Sequence, residues 1–481
     1  MKKAISIILL LAMMLGLCAC GNNDSEGNTP TKDVATQENS GDEYQGNNDT
    51  SEDRASENTI DAGAMTLTEM GTVPNGVNFV SNGILTKSDG TKVQILNQNG
   101  NSFNDKWYDA VEYIIRDGIC VVGIAGTNQT LLGVVDAVAE KELAPCEAVT
   151  VSPLSDRFVM LAYATGTGTA DDHVFAIGST DGESYYYKGY GKILDLQKGE
   201  FIPNLELTTR KELQDTSAVG NVIFVEKDSL ITDVYGADGT FMGTYEYIYA
   251  YPQSGIALQF AENSVCVYDE NMNLVSTLPK RDYGETYDAV EGSSELLIHR
   301  GKKDNGEEWY SVIDLTGKAL TAEYKWITSV YYNGFMHVTK DGVSCIVDFA
   351  GNTIISDFMT ASYVEPGYFM INQNNEYYVY DLTGKKLNDV ALSEARFGTT
   401  LKDDSGKLFI FETGETLAVE GRIEKLTGSL VLIGSNVYDV ITGKIVLSDV
   451  DACLATGGNL YVWDNDKETY TRYIAEYASK G

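Results

Sequence analysis

The sequence predicts an all-β protein: a β-propeller of short four-stranded blades, about seven or eight of them, behind a signal peptide and a disordered acidic linker. Three observations carry this prediction. Residues 312–320 read Val-Ile-Asp-Leu-Thr-Gly-Lys-Ala-Leu, and residues 379–387 repeat them almost letter for letter as Val-Tyr-Asp-Leu-Thr-Gly-Lys-Lys-Leu. Related segments recur along the chain, with turn glycines Gly317, Gly351, Gly384, Gly414 and Gly443 spaced 34, 33, 30 and 29 residues apart. Thirty tyrosines and 47 glycines against only 8 prolines are the composition of many strands joined by many turns.

The chain opens with an export signal over residues 1–19. Lys2 and Lys3 precede an apolar run over residues 4–17, too short to cross about 30 Å of hydrocarbon as a helix. The run ends in Leu17-Cys18-Ala19-Cys20, which resembles a bacterial lipobox. That resemblance implies cleavage before Cys20, a diacylglyceryl anchor with its palmitate on that cysteine, and residence on the outer face of the cell membrane. Cys18 is excluded as the anchor because Leu17 is too large for the small residue such sites favour, and an ordinary secretory signal with free release is the alternative.

Residues 20–63 follow as a tether. From 21 to 63 they carry six Asp, five Glu, one Lys and one Arg, a net charge of 2 − 11 = −9, with almost no large apolar side chain. Such a stretch buries too little surface to offset its ordering entropy and is expected to be disordered and self-repelling, with a span of roughly 35–40 Å as a flexible coil.

Residues 64–481 hold the repeats. In Asp381-Leu382-Thr383-Gly384 and Asp314-Leu315-Thr316-Gly317 the carboxylate is placed to accept backbone N–H groups two residues on, and the glycine to take the left-handed conformation that ends a tight reversal. Further copies are read at 345–354, 408–417 and 436–446, with weaker ones at 84–93, 134–143, 193–202, 234–242 and 267–275. Upstream, the tetrapeptide Tyr-Asp-Ala-Val occurs at 108–111 and again at 287–290. Each unit therefore holds an aromatic-led strand, an apolar strand, the strand entering the Asp turn and the strand leaving it, and small sheets of this kind bury their faces only by stacking on neighbours. The stretch 150–190 is expected to be an insertion, the end at 459–478 a final hairpin, and a strand within 64–80 the closing strand beside it.

Residues 107–137 and 323–354 carry a resemblance to the WG-repeat (KWG) proteins, whose unit runs aromatic-Asp-x-Val, a glycine-led strand, then apolar-Asp-x-x-Gly-Lys. The Trp-Gly pair that names the family is replaced here by Leu132-Gly133, Val343-Ser344 and Tyr310-Ser311. The resemblance implies a propeller-like fold with no common catalytic residues.

Composition and motifs then narrow the chemistry. With 35 Lys and Arg against 70 Asp and Glu, the net charge of −35 argues against nucleic acid or anionic lipid as partners. Beyond Cys20 the cysteines are Cys120, Cys146, Cys266, Cys345 and Cys453, an odd number without metal spacing, read as buried unpaired thiols. Only three histidines exist: His337 reads as a core or edge residue, and His173, with Asp171 and Asp172, as part of a solvated loop. Asp449 with Asp451, and Asp464 with Asp466, lack the glycine and distal Glu of a calcium loop and read as turn residues. The stretch 179–187 falls one residue short of the Asp-box spacing of sialidase-type propellers. No cofactor, metal or catalytic constellation is expected.

What remains is aromatic surface. Trp107-Tyr108, Tyr185-Tyr186-Tyr187, Trp309-Tyr310 and Tyr331-Tyr332 break strict alternation, so one member of each group is expected to face away from the core and offer contact area; packing between blades is the competing role. The leading expectation is a membrane-anchored, extracytoplasmic, non-enzymatic binding module for a protein, peptide or cell-wall glycan. The alternative is an extracytoplasmic propeller enzyme, such as a glycan hydrolase or lyase, whose acids would converge in the central funnel.

Overall fold

The computed structural model describes residues 65–477, apart from residues 128, 179–183, 281–283, 332–333, 365–366, 390, 395–401, 404–406, 412, 420–422 and 427. The export signal, Cys20, the acidic tether, Tyr332 and part of the 179–187 stretch lie outside the described residues. Among the described residues no helix is long and apolar enough to cross a membrane.

The described residues form ten antiparallel sheets in sequence order, the arrangement of a ten-bladed β-propeller. We number them from the N-terminus. Sheet 1 spans 78–96, sheet 2 110–148, sheet 3 150–207, sheet 4 216–246, sheet 5 248–279, sheet 6 286–314, sheet 7 327–356, sheet 8 360–417, sheet 9 423–447 and sheet 10 453–477. The count corrects the expected seven or eight. Sheets 2, 3, 4, 5, 7 and 9 each carry a single corner between their third and outermost strands, sheets 1 and 6 end in one turn after their third strand, and sheet 10 has none there because Met65–Pro74 supplies its outermost strand, so the corners are not doubled up within these blades. Sheet 8 is the exception, with seven strands and the corners of both Gly384 and Gly414. Residues 150–190 are not a separate insertion either: sheet 3 absorbs them by lengthening its second strand to Phe158–Thr167 and its third to Ser184–Asp195, and by adding the strand Phe175–Gly178.

The ring closes by the expected route. Met65–Pro74 pairs antiparallel with Thr469–Tyr477 as the outermost strand of sheet 10. Sheet 10 also grips sheet 1: Thr456 Oγ1 accepts from Gly83 N at 2.8 Å. The buried Arg472 donates to Asn459 Oδ1, Asn99 Oδ1 and Gln98 Oε1.

At the corners the carboxylate works as expected. Asp381 Oδ1 accepts from Thr383 N at 2.9 Å, Lys385 N at 3.0 Å and Thr383 Oγ1 at 2.6 Å. Asp314 makes the same three bonds, to Thr316 N, Lys318 N and Thr316 Oγ1, at the same distances. The copy at 84–93 is a different element: Asp89 and Gly90 lie between the second and third strands of sheet 1.

The corner glycine has a second task. Gly384, at φ +81°, lies so close to sheet 7 that an added Cβ would stand 2.3 Å from the Ile354 carbonyl oxygen, and at Gly239 one would stand 2.1 Å from that of Pro203 in sheet 3. These two corners are thus pressed against the outermost strand of the preceding sheet. The core follows the same logic and lies mainly between sheets, although within the long sheet 8 Val379 also packs with Leu392 and Phe409. Phe158, Met160 and Ile193 of sheet 3 pack with Ala218, Ile223 and Val225 of sheet 4. Tyr287, which leads the second Tyr-Asp-Ala-Val copy, packs with Ile256, Leu258 and Val267 of sheet 5 and donates to the Pro279 carbonyl at 2.6 Å. The five cysteines 120, 146, 266, 345 and 453 are free thiols; Cys266 and Cys345 occupy matching third strands, as expected, although Cys146 and Cys266 are only half-buried.

Because strands alternate in direction, the turns between first and second strands and the Asp corners share one face of the ring. The turns between second and third strands and the links between sheets share the other. We call these the corner face and the link face.

The corner's double role gives a paired test. Gly384→Ala meets both the left-handed backbone and the Ile354 carbonyl, whereas Gly342→Ala, at φ +82° with nothing within 4 Å, meets the backbone alone. The first is expected to cost about 3 kcal/mol or more and the second about 1 kcal/mol, read from urea unfolding midpoints. Equal losses would show that the corner does not depend on its neighbour.

Candidate ligand-binding groove

A groove of about 800 Å³ lies on the corner face, where the turns between first and second strands of five consecutive sheets meet. They contribute Ile115 from sheet 2, Pro153–Arg157 from sheet 3, Gly220 and Asn221 from sheet 4, Pro252–Gly255 from sheet 5, and Gly292 and Ser294 from sheet 6; the corner residues Gln197 and Glu270 complete the lining. A volume in this range suits a chain segment or small ligand. Short polar turns build it for a local reason: Gly, Ser, Asn and Pro satisfy tight reversals without bulk, and the space they leave open becomes the groove.

A chain of hydrogen bonds braces its floor across three sheets. Arg157 meets the carboxylate of the fully buried Asp195 with two bonds, Nε to Oδ1 at 3.1 Å and Nη2 to Oδ2 at 2.6 Å. Its Nη1 donates to Asn221 Oδ1. Asn221 Nδ2 donates to Asn271 Oδ1 at 2.6 Å, and Asn221 N donates to the Glu270 carbonyl at 3.0 Å. Ser254 Oγ ties the turn of sheet 5 to sheet 6 through the Val290 carbonyl at 2.8 Å. Burial alone would push the Asp195 carboxyl up, but the Arg157 guanidinium and the Gln197 and Lys198 N–H groups outweigh it and hold the carboxyl below its ordinary range. The corner carboxylates of Asp269 and Asp314 are displaced downward too, by their turn donors.

None of the aromatic residues anticipated from the sequence lines this groove. Tyr108, Tyr187 and Tyr310 are buried, Tyr187 stacked on Phe175 at 5.6 Å and Tyr310 edge-on to Trp326 at 5.1 Å, so for these three the packing role holds. Trp107 is half-buried before sheet 2, Tyr186 is half-buried against His173 at 4.7 Å, and Trp309 is half-buried against His299 at 4.8 Å. Tyr331 packs with Phe369 at 5.5 Å. Among the described members of the set only Tyr185 is exposed. These residues sit in separate sheets and, except for Tyr331, at the link-face ends of their strands, so the structure does not assemble them. Trp326, Tyr247 and Tyr249, also on the link face, are more exposed than most of the anticipated set; each stands outside an obvious aromatic pair or lies in a Tyr-rich run whose alternation looks regular.

The remaining polar candidates stay apart from the groove. His337 is buried in its strand against Phe358, a core histidine. His173 lies in an exposed loop with Nδ1 3.0 Å from the Thr169 carbonyl oxygen. Asp449, Asp451, Asp464 and Asp466, read as two separate turns, come together around a link-face pocket of about 350 Å³ with Trp463 and Tyr473. Among the described residues no group of three or more His, Cys, Asp or Glu is arranged to hold a metal ion.

The Arg157–Asp195 pair carries a pH signature. A carboxyl held below its unfolded value stabilises the fold above that value, about 3.9, and loses the contribution as pH falls through the folded pKa. Asp195→Asn is therefore expected to cost about 3 kcal/mol near neutral pH, with the gap to the parent closing below about pH 4. Thermal melts from about pH 7 to about pH 3 check this; a gap that persists unchanged at the acid end would refute it.

No protein-family model and no curated protein matches the chain. Solved structures similar to it include a eukaryotic initiation factor, at 11% identity and TM-score 0.37 over 83% of this chain and 97% of that one. BamB from Moraxella catarrhalis is similar at 12% identity and TM-score 0.24, over 54% of this chain and 96% of that one. KlHsv2 with loop 6CD replaced by a Gly-Ser linker is similar at 9% identity and TM-score 0.25, over 55% and 96%. Nothing about what this chain binds follows from likeness at this level.

Proposed function

We propose that the protein is a membrane-anchored, extracytoplasmic lipoprotein, held by a lipid on Cys20, whose propeller is a non-enzymatic interaction module. Its groove on the corner face receives an extended segment of a partner protein. The observation that carries this reading is the groove's construction: turns from five consecutive sheets form one continuous floor, and the chain Asp195–Arg157–Asn221–Asn271 braces it. A floor already fixed by its own hydrogen bonds adds little ordering cost when a ligand arrives.

The lining favours peptide over glycan. No aromatic side chain lines the groove among the described residues, so the stacking platforms that sugar rings use are missing. Turn backbone, Ser, Asn and Gln are suited to a peptide main chain, which offers a donor and an acceptor at every residue. The enzymatic alternative finds less support. Glycan hydrolysis calls for paired carboxyls across one bond, one of them with a raised pKa. Here the two exposed carboxylates of the groove, on Asp156 and Glu270, belong to turns of sheets 3 and 5 with sheet 4 between them, and the displaced carboxylates named above move downward.

Photo-crosslinking from either face of the full chain tests the assignment. A photoreactive residue at Gln253 is expected to capture partner protein from native envelopes, with yield reduced about tenfold or more when the probe sits at Trp326 on the link face. Equal capture from both positions, or capture from Trp326 alone, would place recognition elsewhere.

A further inference from the structure

We infer that the groove's occupant is an extended basic peptide that seats a lysine or arginine side chain over Glu270; this rests on the groove being the recognition site. The inference starts from a charge inventory of the lining. Arg157 is already committed to Asp195 and Asn221. Arg116 Nη1 donates to the Asp156 backbone carbonyl at 2.7 Å and so brings a cation to that turn, although the Asp156 carboxylate itself makes no ion pair among the described residues. Glu270 is exposed, and its carboxylate makes no ion pair or hydrogen bond among the described residues. The next turn adds two more exposed acids, Glu291 and Glu295, on either side of the lining residues Gly292 and Ser294. The groove is therefore near balance at its sheet 3 end and anionic where sheets 4, 5 and 6 meet.

Glu270 is also held in place. Its carbonyl accepts from Asn221 N at 3.0 Å, and its side chain starts directly over Gly220, where an added Cβ would stand 2.3 Å from Glu270 Cβ. Gly220, at φ +51°, thus leaves the room that lets a sheet 5 corner residue lean over the turn of sheet 4. The result is a carboxylate fixed at its base in a groove that Asn221 and Gln253 also line, with no ion pair or hydrogen bond of its own among the described residues. A cationic side chain brought there gains a charge pair that the bound peptide partly shields from solvent.

Charge also excludes one occupant from within the chain. Residues 21–63 carry a net −9 and share the sign of this end of the groove, so the tether is disfavoured there. A whole-molecule charge of −35 attracts cations in general, so a specific Glu270 effect must be separated from a diffuse one.

Fluorescence anisotropy with the full chain separates them. The probes are two pools of labelled decapeptides with random Ser, Thr, Gln and Val and a fixed central residue, lysine in one pool and glutamate in the other. The lysine pool is expected to bind about fivefold more tightly, the ratio given by an ion pair of about 1 kcal/mol, with the margin shrinking at high salt. Glu270→Gln should erase the preference and Glu270→Lys invert it. Asp466→Asn, which removes the same charge from the link face, should leave it intact, and Gln253→Trp should block both pools, with unchanged melting temperatures confirming that the variants fold. Equal binding of the two pools, still blocked by Gln253→Trp, would overturn the basic-peptide inference and leave the groove standing. A preference that survives Glu270→Gln, or falls as much with Asp466→Asn, would overturn it as well. Binding unaffected by Gln253→Trp, or none by either pool, would remove the groove and the inference together.

Discussion

The structure depends on one fit: an acid-and-glycine corner that reverses the chain and at the same time touches the sheet before it. Within the corner, Asp314 and Asp381 each satisfy two backbone N–H groups and a threonine hydroxyl. Between sheets, the absence of a side chain at Gly239 and Gly384 lets the backbone approach the carbonyls of Pro203 and Ile354. A residue type chosen for its dihedral angles is thereby also the contact that sets blade spacing. Where a corner lacks glycine, Glu140 and Met272 take the left-handed conformation themselves, so the reversal is kept even when its usual residue is not.

Stacking of small sheets explains where the core lies and why the ends must meet. A three- or four-stranded sheet has two faces and cannot cover either alone. Each hydrophobic cluster therefore draws on two neighbours, as with Phe158 and Ile223 or Ile346 and Phe369. An open arc would leave two such faces in water. Pairing of Met65–Pro74 with Thr469–Tyr477, reinforced by the buried Arg472 and its three amide partners, removes that exposure and couples the two ends of the repeat region.

The same geometry divides the chemistry between two faces. The corner face gathers glycine, serine and amide residues from successive turns and becomes a polar groove. The link face carries the exposed aromatic residues Tyr185, Tyr247, Tyr249 and Trp326, while Phe241 stands exposed beside the sheet 4 corner. The groove is also electrostatically uneven: the Arg157–Asp195 pair spends its charge on bracing the floor, while Glu270 keeps its own.

Much of the fold could be read from the sequence because its determinants are local. An Asp, two tolerant residues and a glycine define a reversal within five residues of chain, and alternation on either side defines strands; hence most of the corners, though not the one read at 84–93, the antiparallel units, the closing strand and the matching positions of Cys266 and Cys345 were legible. The number of blades was not, since it depends on how many sheets stack before the ends meet. Nor was the fate of each aromatic, because pairs such as Trp309-Tyr310 show that one residue turns outward without showing whether a neighbouring sheet then covers it. The groove was the least legible of all. Its lining runs from Ile115 to Ser294, in turns that look alike singly and acquire a shared surface and an uncompensated carboxylate only when five sheets stand side by side.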